Sequence, residues 1–469
     1  MPISKFWETY TDLLNVNEFD EIEDNLGIHR PISQIRIFRK EDYGLFLTAT
    51  SQLQLIVDRD EAELGLVEQA HGIFTFRADG MEYQCDGISV GSRNVSDAIH
   101  QELKVGSIEV RNQNSFDATN TIEWCIANRR NSLIYPDQAG NTWDERNLIQ
   151  LRSPESQFHF LLQEDTQDLA FSTSLFLRLE GTDLALIKKQ VSDDHDLVAL
   201  VYSNVVDQTI RQRIRKSLGF VLNLHFAMLS STNVDRNLRV ANAKIFSPYT
   251  LNGLIFTPPL PPGLVSDDGN YYSSARIANQ VNSLMQNFEA LNFNYLYWDY
   301  FRAKSLPFDM GVVFIGAALE ALQREYCENT GVRLGSRITS KSKFRLFRSA
   351  VTETITDSEW SAAQKKQISN KINNINRASQ SELARRFFQT LGIEYGDREK
   401  SAWGRRNDVA HGNRWNNDDM HAGVIPFIRE SKILKGMINR AVLRIIGQEH
   451  YVDYYNIGHP VRPIEEPHL

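Results

Sequence analysis

The sequence predicts an α+β protein, with a β-rich N-terminal part followed by an all-α C-terminal part. Three observations carry this. Up to about residue 190, apolar residues alternate with polar ones over short runs, the period of strands. Past residue 270 they recur at every third or fourth position, the period of helices. Between the two stand Thr257-Pro258-Pro259-Leu260-Pro261-Pro262-Gly263 and then Ser266-Asp267-Asp268-Gly269-Asn270. Prolines this dense continue neither a helix nor a central strand.

In chain order, Phe6, Trp7, Tyr10, Leu13 and Leu14 fit a short amphipathic helix. Ile35 and Ile37, Leu45 and Leu47, then Leu53, Leu55 and Val57 alternate with polar or small residues. Further short strands are expected at 73–76, 82–85, 107–111, 121–126 and 157–162. These define a β-rich domain over 1–190, arranged as a sandwich. Residues 191–257 read as a mixed connector, helical over 195–230, with a strand over 239–246. Its Arg211, Arg213, Arg215 and Lys216 are expected on a solvated helix face. Residues 258–270 form the Pro-rich hinge.

The helical domain covers 271–447 and a tail covers 448–469. Ile277, Val281, Leu284, Phe288, Leu291 and Tyr295 share one helix face. The Phe293–Phe301 aromatics continue it as core. Helices follow over 308–328, 340–356, 359–377, 379–391 and 397–411. A last helix runs to about Ile446, capped by Asp418 or Asp419 and kinked near Pro426. Glu320 stands among Phe314, Ile315, Leu319 and Leu322, so it needs a cation, and Arg406 is one candidate.

A chain of 469 residues holds two or three cores. Its 42% hydrophobic and 23% charged residues are ordinary for a globular protein. No eighteen-residue apolar run exists, so no membrane span is expected. The start, Met1-Pro2-Ile3-Ser4-Lys5-Phe6-Trp7-Glu8, lacks a secretion signal's apolar core. Cys85, Cys125 and Cys327 are scattered, which argues against both a disulfide framework and a zinc site and for the cytoplasm. No His-Glu-x-x-His spacing occurs, and no cofactor or metal is expected. Net charge is −8, but residues 333–444 carry 22 Lys and Arg against 11 Asp and Glu, a net of +11. That asymmetry fits a phosphate-binding surface, or docking on the acidic part of the same chain.

Gly87-Ile88-Ser89-Val90-Gly91 matches the Gly-x-Ser-x-Gly of a nucleophile elbow. The elbow needs an apolar strand before it and a helix directly after. Gln84-Cys85-Asp86 precede it, and the next helical stretch starts near Ser96, so the match is a β turn.

The richest stretch is Gly404-Arg405-Arg406-Asn407-Asp408-Val409-Ala410-His411-Gly412. Five helical positions separate Arg406 and His411 by about 7 Å along the axis and about 140° around it. A long arginine, and an irregular turn at His411-Gly412, would bring both heads to one phosphate. Arginine supplies a permanent charge in a planar fork, and histidine a proton near neutrality. That pair suffices to cleave RNA through its own 2′-hydroxyl. His-Gly also serves as a plain helix C-cap.

Arg406-Asn407-Asp408-Val409-Ala410-His411 resembles the Arg-Asn-x-x-x-His signature of HEPN domains, in particular the ApeA-like bacterial group. Phe314-Ile315-Gly316-Ala317-Ala318-Leu319-Glu320-Ala321-Leu322 is similar to an early helix of that family. Ile210–Phe220 is similar to a segment often preceding the HEPN part. The resemblance spans roughly 270–447, and 1–269 only loosely. It implies a HEPN helical bundle pairing as a homodimer, and a metal-independent endoribonuclease leaving 2′,3′-cyclic phosphate and 5′-hydroxyl ends. It assigns phosphate binding to Arg406, general acid or base chemistry to His411 and orientation to Asn407, with Glu320, Arg405 and Asp408 in support. It further implies RNA as partner, and abortive-infection defence in which the N-terminal domain is the sensor or selector that reads a phage-derived trigger. The alternative is a non-catalytic HEPN binding or assembly module.

Overall fold

A computed structural model of the chain describes residues 9–16, 19, 22–24, 32–40, 43–52, 65–66, 74–95, 98–114, 116–127, 142–143, 148–152, 159–163, 174–190, 196–248, 262–263, 274–306, 308–335, 340–376, 378–410, 424–453, 455–456 and 460–468. The protein is α+β and divides into two compact units. One is Met1–Pro259 with Val265–Asn282, the other Leu260–Leu264 with Ser283–Leu469.

The first unit is built on a ten-stranded antiparallel sheet. Its spatial order is Ile22–Asp24, Phe74–Ala78, Met81–Asp86, Ser107–Asn112, Val240–Phe246, Phe226–Val234, Asn120–Ala127, Asp196–Tyr202, Thr182–Gln190 and Ser174–Leu179. A second sheet runs Ile32–Arg39, Leu45–Gln52, Ala98–Val105, Ser89–Val95 and Gly65–Leu66. The strands alternate buried and outward positions, as at Ile99, Gln101, Leu103 and Val105. Ile35, Ile37, Leu45, Leu47 and Leu103 of the smaller sheet share one core with Phe74, Phe76, Ile108, Val110, Ile122 and Trp124 of the larger. This is the expected sandwich.

The stretch 191–257 is more than a connector. It supplies three strands to the middle of the large sheet. Residues 195–230 are strand, helix, strand rather than helix throughout. Leu197-Val198-Ala199-Leu200-Val201 is apolar without interruption, and all five are buried. A strand covered on both faces has no alternation for a sequence reading to detect.

Helix α1 (Gln208–Leu222) covers the sheet's other face. Asp207 caps it by accepting from the Thr209 amide at 2.8 Å, and it ends on Asn223 at φ 56°. Its arginines do not form a solvated face. Arg211 Nε donates to Glu123 Oε1 at 3.0 Å, and Arg215 Nη1 to Glu123 Oε2 at 2.6 Å. Tyr202 donates to the same carboxylate at 3.1 Å. Glu123 sits mid-strand in the core, where an ionised carboxylate persists only with cations beside it.

Helix α2 (Ser274–Gln286) lies mostly in the first unit, so the expected helical domain over 271–447 starts too early. The second unit is helical: α3 (Phe293–Ser305), α4 (Phe308–Thr330), α5 (Lys341–Thr356), α6 (Ala362–Ile375), α7 (Gln380–Thr390), α8 (Asp397–Ala410) and α9 (Ile425–Ile445). The helix face expected to continue from Ile277 into the Phe293–Phe301 aromatics is carried by two helices, separated by the turn 287–292, whose last residue Asn292 takes φ 47°. Phe293, Tyr297, Tyr300 and Phe301 are core, as the aromatic run implied. Pro426 lies in the first turn of α9, where its missing N–H costs nothing, so it starts the helix instead of kinking it. The expected caps Asp418 and Asp419 lie outside the described residues.

The tail packs against the helices. Fully buried Arg440 of α9 reaches Glu399 of α8 at 2.7 Å and the Ile464 carbonyl at 2.9 Å. The His468 amide donates to Glu399 at 3.0 Å. Thus the last residues complete the hydrogen bonding of a buried ion pair.

Burial, with Arg215 and Lys216 adding to it, pushes the His225 imidazole from 6.5 down to about 4. The folded state keeps it neutral, and unfolding lets it take a proton. Its contribution is therefore complete above pH 6.5 and disappears as pH falls towards 4, on the order of 3 kcal/mol in all. Urea midpoints measured across that window should fall with pH for the wild type and flatten in His225→Leu.

Candidate functional site

The motif begins on α8. Asp397 and Glu399 occupy its first turn, where carboxylates suit the helix dipole. Ala402 and Trp403 are buried, which fixes the rotation of the helix. Arg406 follows Trp403 by three positions and so shares its face. Its guanidinium carbon lies 5.1 Å from the Trp403 ring centroid.

Helix α4 holds the other side of this arginine. Arg406 Nη2 lies 2.8 Å from Glu320 Oε2. Gly316 precedes Glu320 by four positions, one turn along the same face. A Cβ at Gly316 would collide with Cγ, Cδ and Nε of Arg406. The glycine is thus a notch for the arginine stem, and the glutamate one turn on receives its head. Arg406 Nη1 also donates to Asn407 Oδ1 at 2.7 Å. The Arg406 side chain is 12% exposed and Glu320's 28%. Arg406 Nε is buried and has no hydrogen-bond partner among the described residues.

Arg405 points elsewhere, as its position 100° around the helix requires. Its Nε lies 2.7 Å from Glu430 Oε2 on α9, and Ser401 donates to Oε1 of the same carboxylate at 2.8 Å. Arg405 is therefore a strut between α8 and α9. Asp408 is exposed. His411 follows directly on Ala410, the last residue of α8, and lies outside the described residues. The structure thus gathers Arg406, Asn407 and Glu320 and sends Arg405 to another helix.

Gly316 and Trp403 were missed as parts of this site by the reading of the sequence. The signal for Gly316 was present as a glycine four positions before an acid on an apolar helix. Deeper in the helical unit, burial and Lys432 push the Lys435 ammonium down to about 8. Burial and Lys435 push Lys304 well below its ordinary value.

The first unit holds a cavity of about 390 Å³ on the large sheet, beside the start of α1. Glu109, Arg111, Arg211, Asn233, Asn242 and Lys244 are among its lining. Lys244 holds the Glu109 carboxyl below its usual range, mainly through their hydrogen bond. Ser89 opens the strand Ser89–Val95, so a strand stands where a nucleophile elbow needs a helix. Among the described residues no three His, Cys, Asp or Glu side chains gather as a metal site, and no helix is long and apolar enough to cross a membrane. The three cysteines are free.

No protein-family model matches the chain, no curated protein matches it, and no solved structure matches it.

The notch account carries a stability test. Gly316→Ala should cost about 1–3 kcal/mol by forcing the arginine stem aside. Glu320→Gln should cost about 1–3 kcal/mol by leaving Arg406 without its counter-charge. In urea titrations of the Gly316→Ala and Arg406→Ala double-mutant cycle, the two changes should couple by more than about 0.5 kcal/mol. Additive effects would mean that the glycine serves another purpose.

Proposed function

We propose that this protein is a metal-independent endoribonuclease of the HEPN type, acting through Arg406 and His411. The observation that carries the reading is the seating of Arg406. Gly316, Glu320, Trp403 and Asn407 fix one guanidinium near the end of the helix that His411 follows. RNA transesterification requires a preorganised cation together with a group that gives and takes a proton, and the sequence offers His411 for the second.

In the proposed reaction the ribose 2′-oxygen attacks the adjacent phosphorus and the P–O5′ bond breaks. The 2′-hydroxyl gives its proton to a base, and the departing 5′-oxygen takes one from an acid. His411 serves one of these steps, and a second copy of the chain, paired through the helical part, supplies the other. Arg406 carries the charge that builds on the phosphoryl oxygens. Asn407 and Glu320 orient the guanidinium. The products are 2′,3′-cyclic phosphate and 5′-hydroxyl ends. In this reading the N-terminal unit senses a phage-derived trigger, with the cavity beside α1 as its entry point, and the output is abortive infection in the cytoplasm.

One observation favours a second reading, a non-catalytic binding or assembly module. The Arg406–Glu320 pair would hold α8 on α4 with no chemistry at all.

The two readings part in a cleavage assay in EDTA, with host and phage RNA offered and the cut ends analysed. The ribonuclease reading predicts cyclic-phosphate ends from the wild type and at least a hundredfold loss in Arg406→Ala and in His411→Ala, in line with the loss of a charge-stabilising donor or of a general acid–base group. Cleavage unchanged in His411→Ala would remove it.

A further inference from the structure

The helices α5 and α6 form a hairpin that the rest of the helical unit barely covers. They pack chiefly on each other. Ile355 and Ile372 are the only buried residues among those described in the two helices. The base is pinned: the Ala378 amide donates to the Gly335 carbonyl at 2.9 Å, and Arg386 Nη1 to the Leu334 carbonyl at 2.8 Å. Beyond this base Leu346 is 71% exposed, and Phe347, Trp360 and Ile375 are exposed as well. Apolar side chains concentrated on one projecting element mark a contact surface.

Charge decides what the surface meets. Lys341, Lys343, Arg345 and Arg348 fill the first half of α5, and its first turn has no acid. Lys341, Arg345 and Arg348 follow i, i+4, i+7 spacing and so share one face. All four are exposed, and among the described residues none carries an ion pair. Lys341 and Lys343 sit in the first turn of the helix, where the backbone dipole is already positive and cations are unfavourable. The arrangement makes a concentrated positive field that favours an anionic partner. Alongside it, the Phe344 and Phe347 rings stack with centroids 6.2 Å apart. A second copy meeting this face with its own about a two-fold axis would bring the same charge to the contact and be repelled. Cations in a row beside exposed rings suit a polynucleotide single strand, whose phosphates take the charge and whose bases take the rings.

We infer that the N-terminal half of α5 is a single-stranded RNA docking surface, distinct from the Arg406 site, with Lys341, Arg345 and Arg348 on phosphates and Phe347 under a base. The choice of RNA over other polyanions rests on the ribonuclease reading. The docking itself is tested apart from cleavage.

The test is fluorescence anisotropy of full-length protein with an unstructured RNA oligonucleotide, 2′-O-methylated throughout so that it cannot be cut, over a series of salt concentrations. The Lys341→Ala, Arg345→Ala, Arg348→Ala triple variant should bind at least about tenfold more weakly. Its salt dependence should be shallower by about 2 in log–log slope, three phosphate contacts fewer. Phe347→Ala should bind roughly tenfold more weakly with the slope unchanged, because stacking releases no counterions. Arg345→Lys with Arg348→Lys, which keeps the charge, should stay close to wild type. All these side chains are exposed, and circular dichroism verifies the fold of each variant. Unchanged affinity and slope in the triple variant overturn the inference, as does absence of binding by the wild type. A change in oligomeric state with RNA binding intact also overturns it and assigns the face to a second copy. Cleavage that persists in Arg406→Ala would instead remove the ribonuclease reading, and it leaves the anisotropy result to stand by itself.

Discussion

One ion pair sets the geometry of the candidate site. Arg406 leaves α8, passes through the gap at Gly316 of α4 and ends on Glu320 one turn along. Each part constrains the others. Without the glycine the stem has no path, and without the glutamate the guanidinium is a half-buried charge with no counter-ion. The indole of Trp403 backs it from the same helix. A guanidinium held on several sides has little rotamer freedom left to lose, which is what the proposed ribonuclease would need of it.

The same rule operates elsewhere in both units. Glu123 crosses the core of the large sheet with Arg211 and Arg215 on it. Arg440 and Glu399 are buried together, with main-chain groups of the tail completing their bonds. In each case a charge inside the protein is matched by the opposite charge and by further hydrogen bonds, since an unmatched one would be expelled or neutralised. The hairpin of α5 and α6 lies outside this rule, because the charges on α5 are exposed. The four cations in the first half of α5 face solvent with no ion pair among the described residues, and apolar side chains of the hairpin lie open. That contrast is why a partner is assigned to it.

The sequence made the α+β class legible, because alternation and helical spacing change over at the proline cluster. The sandwich core and most helix limits also followed from periodicity. The strand at Asp196–Tyr202 did not, because burial on both faces erases alternation. Nor did the break at Asn292, where a left-handed residue interrupts an apolar stripe that continues past it. Arg211 and Arg215 looked like surface because their acid lies 88 and 92 residues away in the chain. The pairing of Glu320 with Arg406 was readable because a carboxylate in an apolar helix demands a cation. The role of Gly316 was not, since nothing local reveals which side chain crosses a glycine.

The most direct test of the ribonuclease account concerns the nucleophile. An RNA cut by the protein in EDTA would be remade with a single 2′-deoxynucleotide on the 5′ side of the cut phosphate, and the products mapped. The account predicts that cleavage stops at that phosphate and continues at any other site, because the attacking oxygen has been removed. Cleavage persisting at the deoxy position would contradict it, since some other nucleophile would then be attacking the phosphate.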